Sequence, residues 1–352
     1  MKILGIETSC DETAAAVVTD QGQILSDVVL TQIELHQPFG GIVPEVAARA
    51  HLEFVDRVVN DAMVQADLSF GDLDGVAVTG GPGLIGGVIV GVMTAKAIAM
   101  AHNLPFIAVN HLEGHALTAR LTNNVAFPYL LLLVSGGHTQ LLAVRGVGEY
   151  TRLGTTIDDA VGEAFDKSAK ILGLGYPGGP MIETRAKLGD PKRFALPRPL
   201  RGKPGCNFSF SGLKAAVKRQ VDALPPGKLA DQDVNDMAAS FQAAVCDVIR
   251  ERTRNAIAQF KILCPDGKTL VIAGGVAANG ALRHCLDQVA IGEGLELAAP
   301  PLQLCTDNGA MIAWAGIEHL QLGHINDLNF KPRPRWPLDP GAPKVGGAGI
   351  KA

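Results

Sequence analysis

The feature that most narrows the fold of this 352-residue chain is an internal repetition. Ile3-Leu4-Gly5-Ile6 is a short apolar run, followed by the polar turn Glu7 to Thr13 and a second apolar run, Ala14 to Val18. Tyr129 to Val134 is its counterpart, followed by Ser135-Gly136-Gly137-His138-Thr139 and then Leu141 to Val144. Both read as strand, small-residue turn, strand. Further along, Gly75 to Thr79 runs into Gly80-Gly81-Pro82-Gly83 and a long apolar helix. Thr269 to Ala273 likewise runs into Gly274-Gly275-Val276-Ala277-Ala278-Asn279 and another helix. The plan predicts a duplicated α/β protein of two domains with a ligand cleft between them. Glycines let backbone approach a ligand closely, and helix N-termini present free N–H groups to anions. The four turns are therefore expected to hold a phosphate or nucleotide.

Composition agrees with this class. With 47% hydrophobic and 19% charged residues, the chain is excluded from intrinsic disorder, and its length suits two domains. The first half is expected to span 1–125 and the second 126–310, with a Gly-, Pro- and Arg-rich insert at about 178–219. A closing helix over 311–330 would pack back on the first half. Five prolines and four glycines in 331–352 predict an extended or disordered tail. The N-terminal apolar run is too short for a signal peptide, and Glu7 closes it. Six cysteines without a C-x-x-C pair read as free thiols of a cytoplasmic protein. Gly83 to Ala101 is nearly uncharged over 19 residues, but Lys96 and four glycines favour a buried core helix over a membrane span.

Net charge is −4, which by itself argues against nucleic acid. The distribution reverses that. Residues 184–219 hold ten basic side chains and one acid, a local +9, while the remainder holds 21 basic and 34 acidic, −13. A polyanion responds to such a local field, and Arg193, Arg198, Arg201, Lys203 and Lys214 are the expected contacts. A solvated surface loop is the competing reading.

His111-Leu112-Glu113-Gly114-His115 places two histidines four apart. At ~100° per residue they share one helix face and could share a metal. Glu113 lies ~200° round from His111 and points away, which counts against a zinc protease with glutamate as base. Cys305 to Ile312 reads as a helix start. Thr306 or Asp307 is placed to cap it, and Asp307 could instead give a carboxylate to the metal. Two imidazoles and one carboxylate leave positions open for substrate. Thr8-Ser9-Cys10-Asp11-Glu12-Thr13 is either a polar hairpin or a phosphate-binding turn in which Asp11 or Glu12 manages protons. Asp159, Glu163 and Asp166 share a helix face that is either solvated or binds ligand hydroxyls. Phe208 and Phe210, beside the basic run, either stack on bases or pack in the core.

Together these residues resemble the universal tRNA threonylcarbamoyladenosine synthesis family, the bacterial tRNA N(6)-adenosine threonylcarbamoyltransferases, formerly described as O-sialoglycoprotein endopeptidases. The matching motifs are GIETSCDET (5–13), HLEGHA (111–116), LLVSGGHTQL (132–141), DDAVGEAFDK (158–167), YPGGP (176–180), NFSFSGLK (207–214), GGVAAN (274–279) and CTDNGAMIA (305–313). The resemblance implies the actin-like ATPase, Hsp70 and sugar-kinase fold. It implies one divalent ion per subunit, Fe(2+) before Zn(2+), on His111, His115 and Asp307. It implies threonylcarbamoyl-AMP held by Val134, Ser135, Gly136, Gly137, His138, Asp166, Gly179 and Asn279, with Glu183 where the family usually has aspartate. The implied activity is transfer of the threonylcarbamoyl group to the exocyclic amine of the adenosine next to the anticodon, in tRNAs reading codons that begin with adenine. The implied partners are a non-catalytic paralogous subunit and a small ATPase, with no membrane. Asp11, or its neighbour Glu12, is the expected proton acceptor. A sugar kinase would share the fold but has no use for the His–His–Asp set, and a non-catalytic scaffold would have no use for so many polar groups aimed at one cleft.

Overall fold

The computed structural model of the chain describes residues 1–343 and 345. Two compact units emerge, and each carries a five-stranded sheet. The first is built from Met1–Asn124 and Pro300–Pro340; the second from Val125–Ala299, joined by residues 341–343.

In the first unit, β1 (Lys2–Glu7), β2 (Glu12–Thr19), β3 (Ile24–Thr31), β4 (Gly75–Gly81) and β5 (Phe106–Asn110) are ordered β3-β2-β1-β4-β5. β1 pairs antiparallel with β2 and parallel with β4, and β5 continues the parallel side. The helices are α1 (Ile33–His36), α2 (Pro44–Gln65), α3 (Ile85–His102) and α4 (His111–Asn123). In the second unit, β6 (Tyr129–Val134), β7 (Thr139–Gly146), β8 (Glu149–Thr155), β9 (Thr269–Ala273) and β10 (Glu296–Ala298) are ordered β10-β9-β6-β7-β8. Its helices are α5 (Val161–Ile171), α6 (Gly178–Ala186), α7 (Ser211–Asp222), α8 (Asp231–Leu263) and α9 (Gly280–Gly292); α10 (Gly309–Gln321) follows. Strand for strand, the second sheet repeats the first, including the mixture of antiparallel and parallel neighbours.

The chain returns to the first unit at Pro300, earlier than the expected 311, because the turn carrying Asp307 and the start of α10 pack on β1, β2, β4 and α4. The period of two along β1 explains how one strand serves two helical layers. Leu4 and Ile6 join Val55, Val58, Val88 and Val92 in the core under α2 and α3. Gly5, between them, faces α10. A methyl group on Gly5 would lie 2.3 Å from the amide nitrogen of Ala313, and one on Gly309 would lie 2.4 Å from that of Ala16. Helix α10 therefore touches the sheet backbone to backbone.

Two other elements add detail to the sequence expectations. Helix α3 is long and apolar enough by composition to cross a membrane, yet Val88, Val92, Ala95 and Ala99 are core residues. The expected core helix buries one side only: Ile85, Ile89, Met93 and Met100 are exposed along the other. The tail expected to be extended or disordered is fastened to the first unit through residues 330–336, without regular secondary structure. Lys344 and residues 346–352 lie outside the described residues. All six cysteines are thiols, five of them buried.

Gly309→Ala is expected to destabilise the protein by about 1–3 kcal/mol, because the added carbon meets backbone that must move. Gly212→Ala, where a methyl meets nothing within 4 Å, is expected to be neutral or slightly stabilising. Urea denaturation of the two variants checks the contrast.

Candidate metal centre and ligand turns

Helix α4 begins where β5 ends, with Asn110 as N-cap: its Oδ1 accepts from Leu112 N–H at 2.9 Å. One turn of helix separates His111 from His115, and their rings meet edge to face with centroids 4.8 Å apart. Asp307 Oδ1 lies 3.0 Å from His115 Nε2 and 3.6 Å from His111 Nε2. The three donor atoms lie within 4.8 Å of one another and form a group that could hold a metal ion. Two imidazole nitrogens and a carboxylate oxygen suit Fe(2+) or Zn(2+), with coordination positions left over. The cap of α10 is neither Thr306 nor Asp307 but Asn308, whose Oδ1 accepts from Met311 N–H at 2.8 Å. That leaves the Asp307 carboxylate for the histidines. Glu113 points elsewhere, as its helical angle requires, and its Oε2 lies 2.9 Å from His319 Nε2.

A second carboxylate, absent from the sequence expectations, completes this centre. Glu7 is fully buried at the end of β1. It accepts from Ser9 N–H at 2.5 Å, from the Thr79 hydroxyl, and from His111 Nδ1 at 2.9 Å. A carboxylate on Nδ1 orients the ring and leaves Nε2 for a ligand, the usual outer support of a metal-binding imidazole. The signal was present in the sequence: a charged residue closing an otherwise apolar central strand needs a buried partner. Burial opposes ionisation of Glu7, but the His111 ring outweighs it and holds the carboxyl below its ordinary value. Burial likewise opposes the charged form of His111, but Asp307 and Glu7 prevail and raise its pKa to about 9. Asp11 is buried. Burial, then the carboxylates of Asp307 and Asp11, push Glu12 well above its usual range, and its side chain hydrogen-bonds Asp11. Glu7 and Asp307 thus set negative charge against the His111 imidazole, an environment that favours a cation.

In the second unit, the turn Ser135–His138 follows Val134 at the end of β6. Ser135 N–H donates to His138 O at 2.8 Å, and His138 N–H donates to Ser135 Oγ at 3.1 Å. Gly136 and Gly137 are exposed at its tip, and a Cβ on either would meet nothing within 4 Å. Gly179 has the same open surroundings. Asp166 Oδ1 accepts from Gly178 N–H at 2.8 Å, fixing the start of α6. Glu183 Oε1 accepts from Gly280 N–H at 3.0 Å at the start of α9. Asn279 caps α9 through Leu282 N–H at 2.9 Å and donates to Gln242 Oε1 at 3.0 Å. Three expected ligand residues therefore also hold the loops in place. Asp159 and Glu163 both pair with Lys167, so two of the three carboxylates on the shared face are engaged by one cation. The glycine turn Gly80–Gly83 of the first unit does not present an open cradle, because the protein's own tail lies against it.

The basic segment divides in two. Arg193 pairs with Asp233 and Asp236, and Arg198 with Asp247, all on α8. Arg185 and Lys218 are also paired, with Asp231 and Asp222. Arg201, Lys203 and Lys214 have no ion pair among the described residues, and Arg201 and Lys203 are exposed. Phe208 and Phe210 are fully buried and stacked on each other, so they are core rather than base platforms.

A duplicated actin-like fold of two mixed-sheet α/β units, with a His–His–Asp group at a helix start, defines the class. Comparison with known proteins then gives the family. The model of the TsaD family, tRNA N6-adenosine threonylcarbamoyltransferase, matches residues 23–314. A protein of that name from Paramagnetospirillum magneticum is 64% identical over 345 residues, covering 98% of this chain and 99% of that protein. Another from Rhodospirillum rubrum is 62% identical over 357 residues, covering 100% and 99%. The chain belongs to this family and is a transferase. Among solved structures, HypF from T. kodakarensis superposes with a TM-score of 0.58 at 15% identity, over 92% of this chain and 48% of that one. Component A of the (R)-2-hydroxyglutaryl-CoA dehydratase of Acidaminococcus fermentans gives 0.53 at 15% identity, over 90% and 99%. At such identities the likeness concerns the fold alone.

Because His111 must release a proton before Nε2 can bind an ion, Co(2+) or Zn(2+) affinity is expected to rise with pH up to about 9, by about tenfold per unit if one proton is displaced. The sign for the metal-free protein is opposite. The raised pKa contributes stability fully present below about 6.5 and lost as pH rises through about 9. Competition titration at two pH values, beside thermal unfolding of the chelator-treated protein, checks both.

Proposed function

We propose that this transferase moves the threonylcarbamoyl group from threonylcarbamoyl-AMP to the exocyclic amine of the adenosine next to the anticodon, in tRNAs reading codons that begin with adenine. The observation that carries this reading is the convergence of His111 Nε2 and His115 Nε2 on Asp307 Oδ1 in a chain alike to its relatives from end to end. The amine nitrogen attacks the carbamoyl carbon, the bond to the phosphate oxygen breaks, AMP leaves with its electron pair, and the amine gives up a proton.

A divalent ion on His111, His115 and Asp307, Fe(2+) before Zn(2+), would supply Lewis-acid polarisation and a fixed anchor for the ligand. Glu7 holds the His111 ring so that Nε2 faces that position. Gly136 and Gly137 offer backbone N–H groups, which have no protein partner among the described residues, to the phosphate or the carbamoyl oxygen. Val134 and His138 anchor that turn, while Asp166, Gly179, Glu183 and Asn279 set the helix starts around the adenylate. An adenine amine is a weak nucleophile, so orientation has to contribute much of the rate, for which ~7–11 kcal/mol is accessible. The hydrogen-bonded Asp11–Glu12 pair takes the proton, since burial and the neighbouring carboxylates raise the proton affinity of Glu12.

Arg201, Lys203 and Lys214 seat the tRNA backbone. Partner subunits, a paralogue and a small ATPase, are supported by the exposed apolar stripe Ile85, Ile89, Met93 on α3, the type of surface that marks protein contacts. A tRNA substrate places this work in the cytoplasm. Incubating the protein and these partners with threonylcarbamoyl-AMP and unmodified tRNA, then digesting the RNA, is expected to yield a nucleoside heavier by one threonylcarbamoyl group. Unchanged adenosine from a complete mixture would sink the reading.

The two classes of basic residue separate in one measurement. Arg201→Ala and Lys203→Ala are expected to weaken tRNA binding and each to lower the slope of log affinity against log salt by about 1. Arg193→Ala, which leaves Asp233 and Asp236 without their partner, is expected to reduce stability with little change in that slope.

A further inference from the structure

Residues 326–338 lie beyond the end of the family match at 314 and have no role in the chemistry above. They are nevertheless firmly seated. Asn326 N–H donates to Phe106 O at 2.9 Å, and its Oδ1 accepts from Ala108 N–H at 2.8 Å, extending the edge of β5. Lys96 Nζ donates to Phe330 O at 2.7 Å, and Arg333 N–H donates to Gly80 O at 2.8 Å. The Arg333 guanidinium lies 5.2 Å from the Phe330 ring centre and 4.5 Å from that of Trp336. These rings rest on Gly80: a methyl group there would stand 2.7 Å from Phe330 and 3.1 Å from Trp336. At Gly81, φ is +132°, and a Cβ would collide with the Arg333 carbonyl. The double glycine thus admits the chain's own tail.

The segment ends on the helix that carries both histidines. Trp336 O accepts from Asn110 Nδ2 at 2.8 Å, while Asn110 Oδ1 caps α4 at Leu112 N–H. Asn110 is buried, so both arms of its amide are committed, and the amide cannot turn over without losing both bonds. His111 is the first helical residue after this cap.

We propose that residues 330–336 form a strap that positions the metal-binding helix, with Trp336 and Asn110 as its positioning residues. The cap sets the first turn of α4, and hence the direction of His111 Nε2 toward Asp307. The strap holds the cap in its one productive rotamer. This inference rests on the reading of His111, His115 and Asp307 as metal ligands.

Two substitutions test it. Asn110→Asp keeps the oxygen that caps Leu112 but removes the donor to Trp336 O. Trp336→Ala removes the ring that seats the strap, and Trp336→Phe should preserve it. Full-length variants are titrated with Co(2+), recording visible absorption and affinity, with thermal unfolding and tRNA binding measured in parallel. Asn110→Asp and Trp336→Ala are expected to bind Co(2+) about 10- to 100-fold more weakly, the loss typical of a disturbed outer support. Their spectra should be altered while tRNA binding is unchanged, and Trp336→Phe should match the parent. Should Trp336→Ala unfold, Asn110→Asp alone decides. Affinity within twofold of the parent, with an identical spectrum, for Asn110→Asp overturns the strap while leaving the metal centre intact. Parent protein whose Co(2+) binding survives His115→Ala overturns both.

Discussion

The meeting of one carboxylate with two imidazoles governs the rest of the first unit. Asp307 reaches His111 and His115 because three separate features leave it no other place. Asn308 takes over the capping of α10. Gly5 and Gly309 let that helix lie against the sheet backbone. Glu7 turns the His111 ring so that its remaining nitrogen faces the same point. Each has a local cost: glycine in a strand weakens it, and a buried carboxylate loses its water. Such costs are tolerated where geometry matters more than stability, as at a site that binds.

Much of this was legible in the chain. Apolar runs with period two, joined by small-residue turns and repeated once, are enough to indicate two similar sheets, because strand patterning is local. The histidine pair was legible for the same reason, since an i, i+4 spacing fixes its own angle. Long-range partners were not legible from local pattern, and Asp307 was expected as a ligand only through the family resemblance. Glu7 meets His111 across 104 positions, and Asp307 meets His115 across 192. No local pattern encodes which carboxylate closes such a gap. The choice of Asn308 over its neighbours as cap turns on one residue of register, finer than sequence patterns resolve.

Charge counting illustrates the same limit. A run of ten basic residues with one acid reads as a single electropositive surface. Folding sets it against α8, whose acidic residues engage Arg185, Arg193 and Arg198. Arg252, fully buried in α8, donates to the carbonyls of Lys203 and Gly205 at 2.9 and 3.1 Å. The loop carrying Arg201 and Lys203 is thus held by an arginine from outside it. The positive charges that remain free are fewer than the sequence suggests, and they sit on a more rigid support.

The first unit is discontinuous: Met1–Asn124 must wait for Pro300–Pro340. During synthesis the two histidines therefore emerge long before their carboxylate, with the whole second sheet made in between. An N-terminal fragment carries two of the three candidate ligands and a β1 not yet covered by α10. An ion held by all three side chains would therefore be acquired only after translation has passed Asp307.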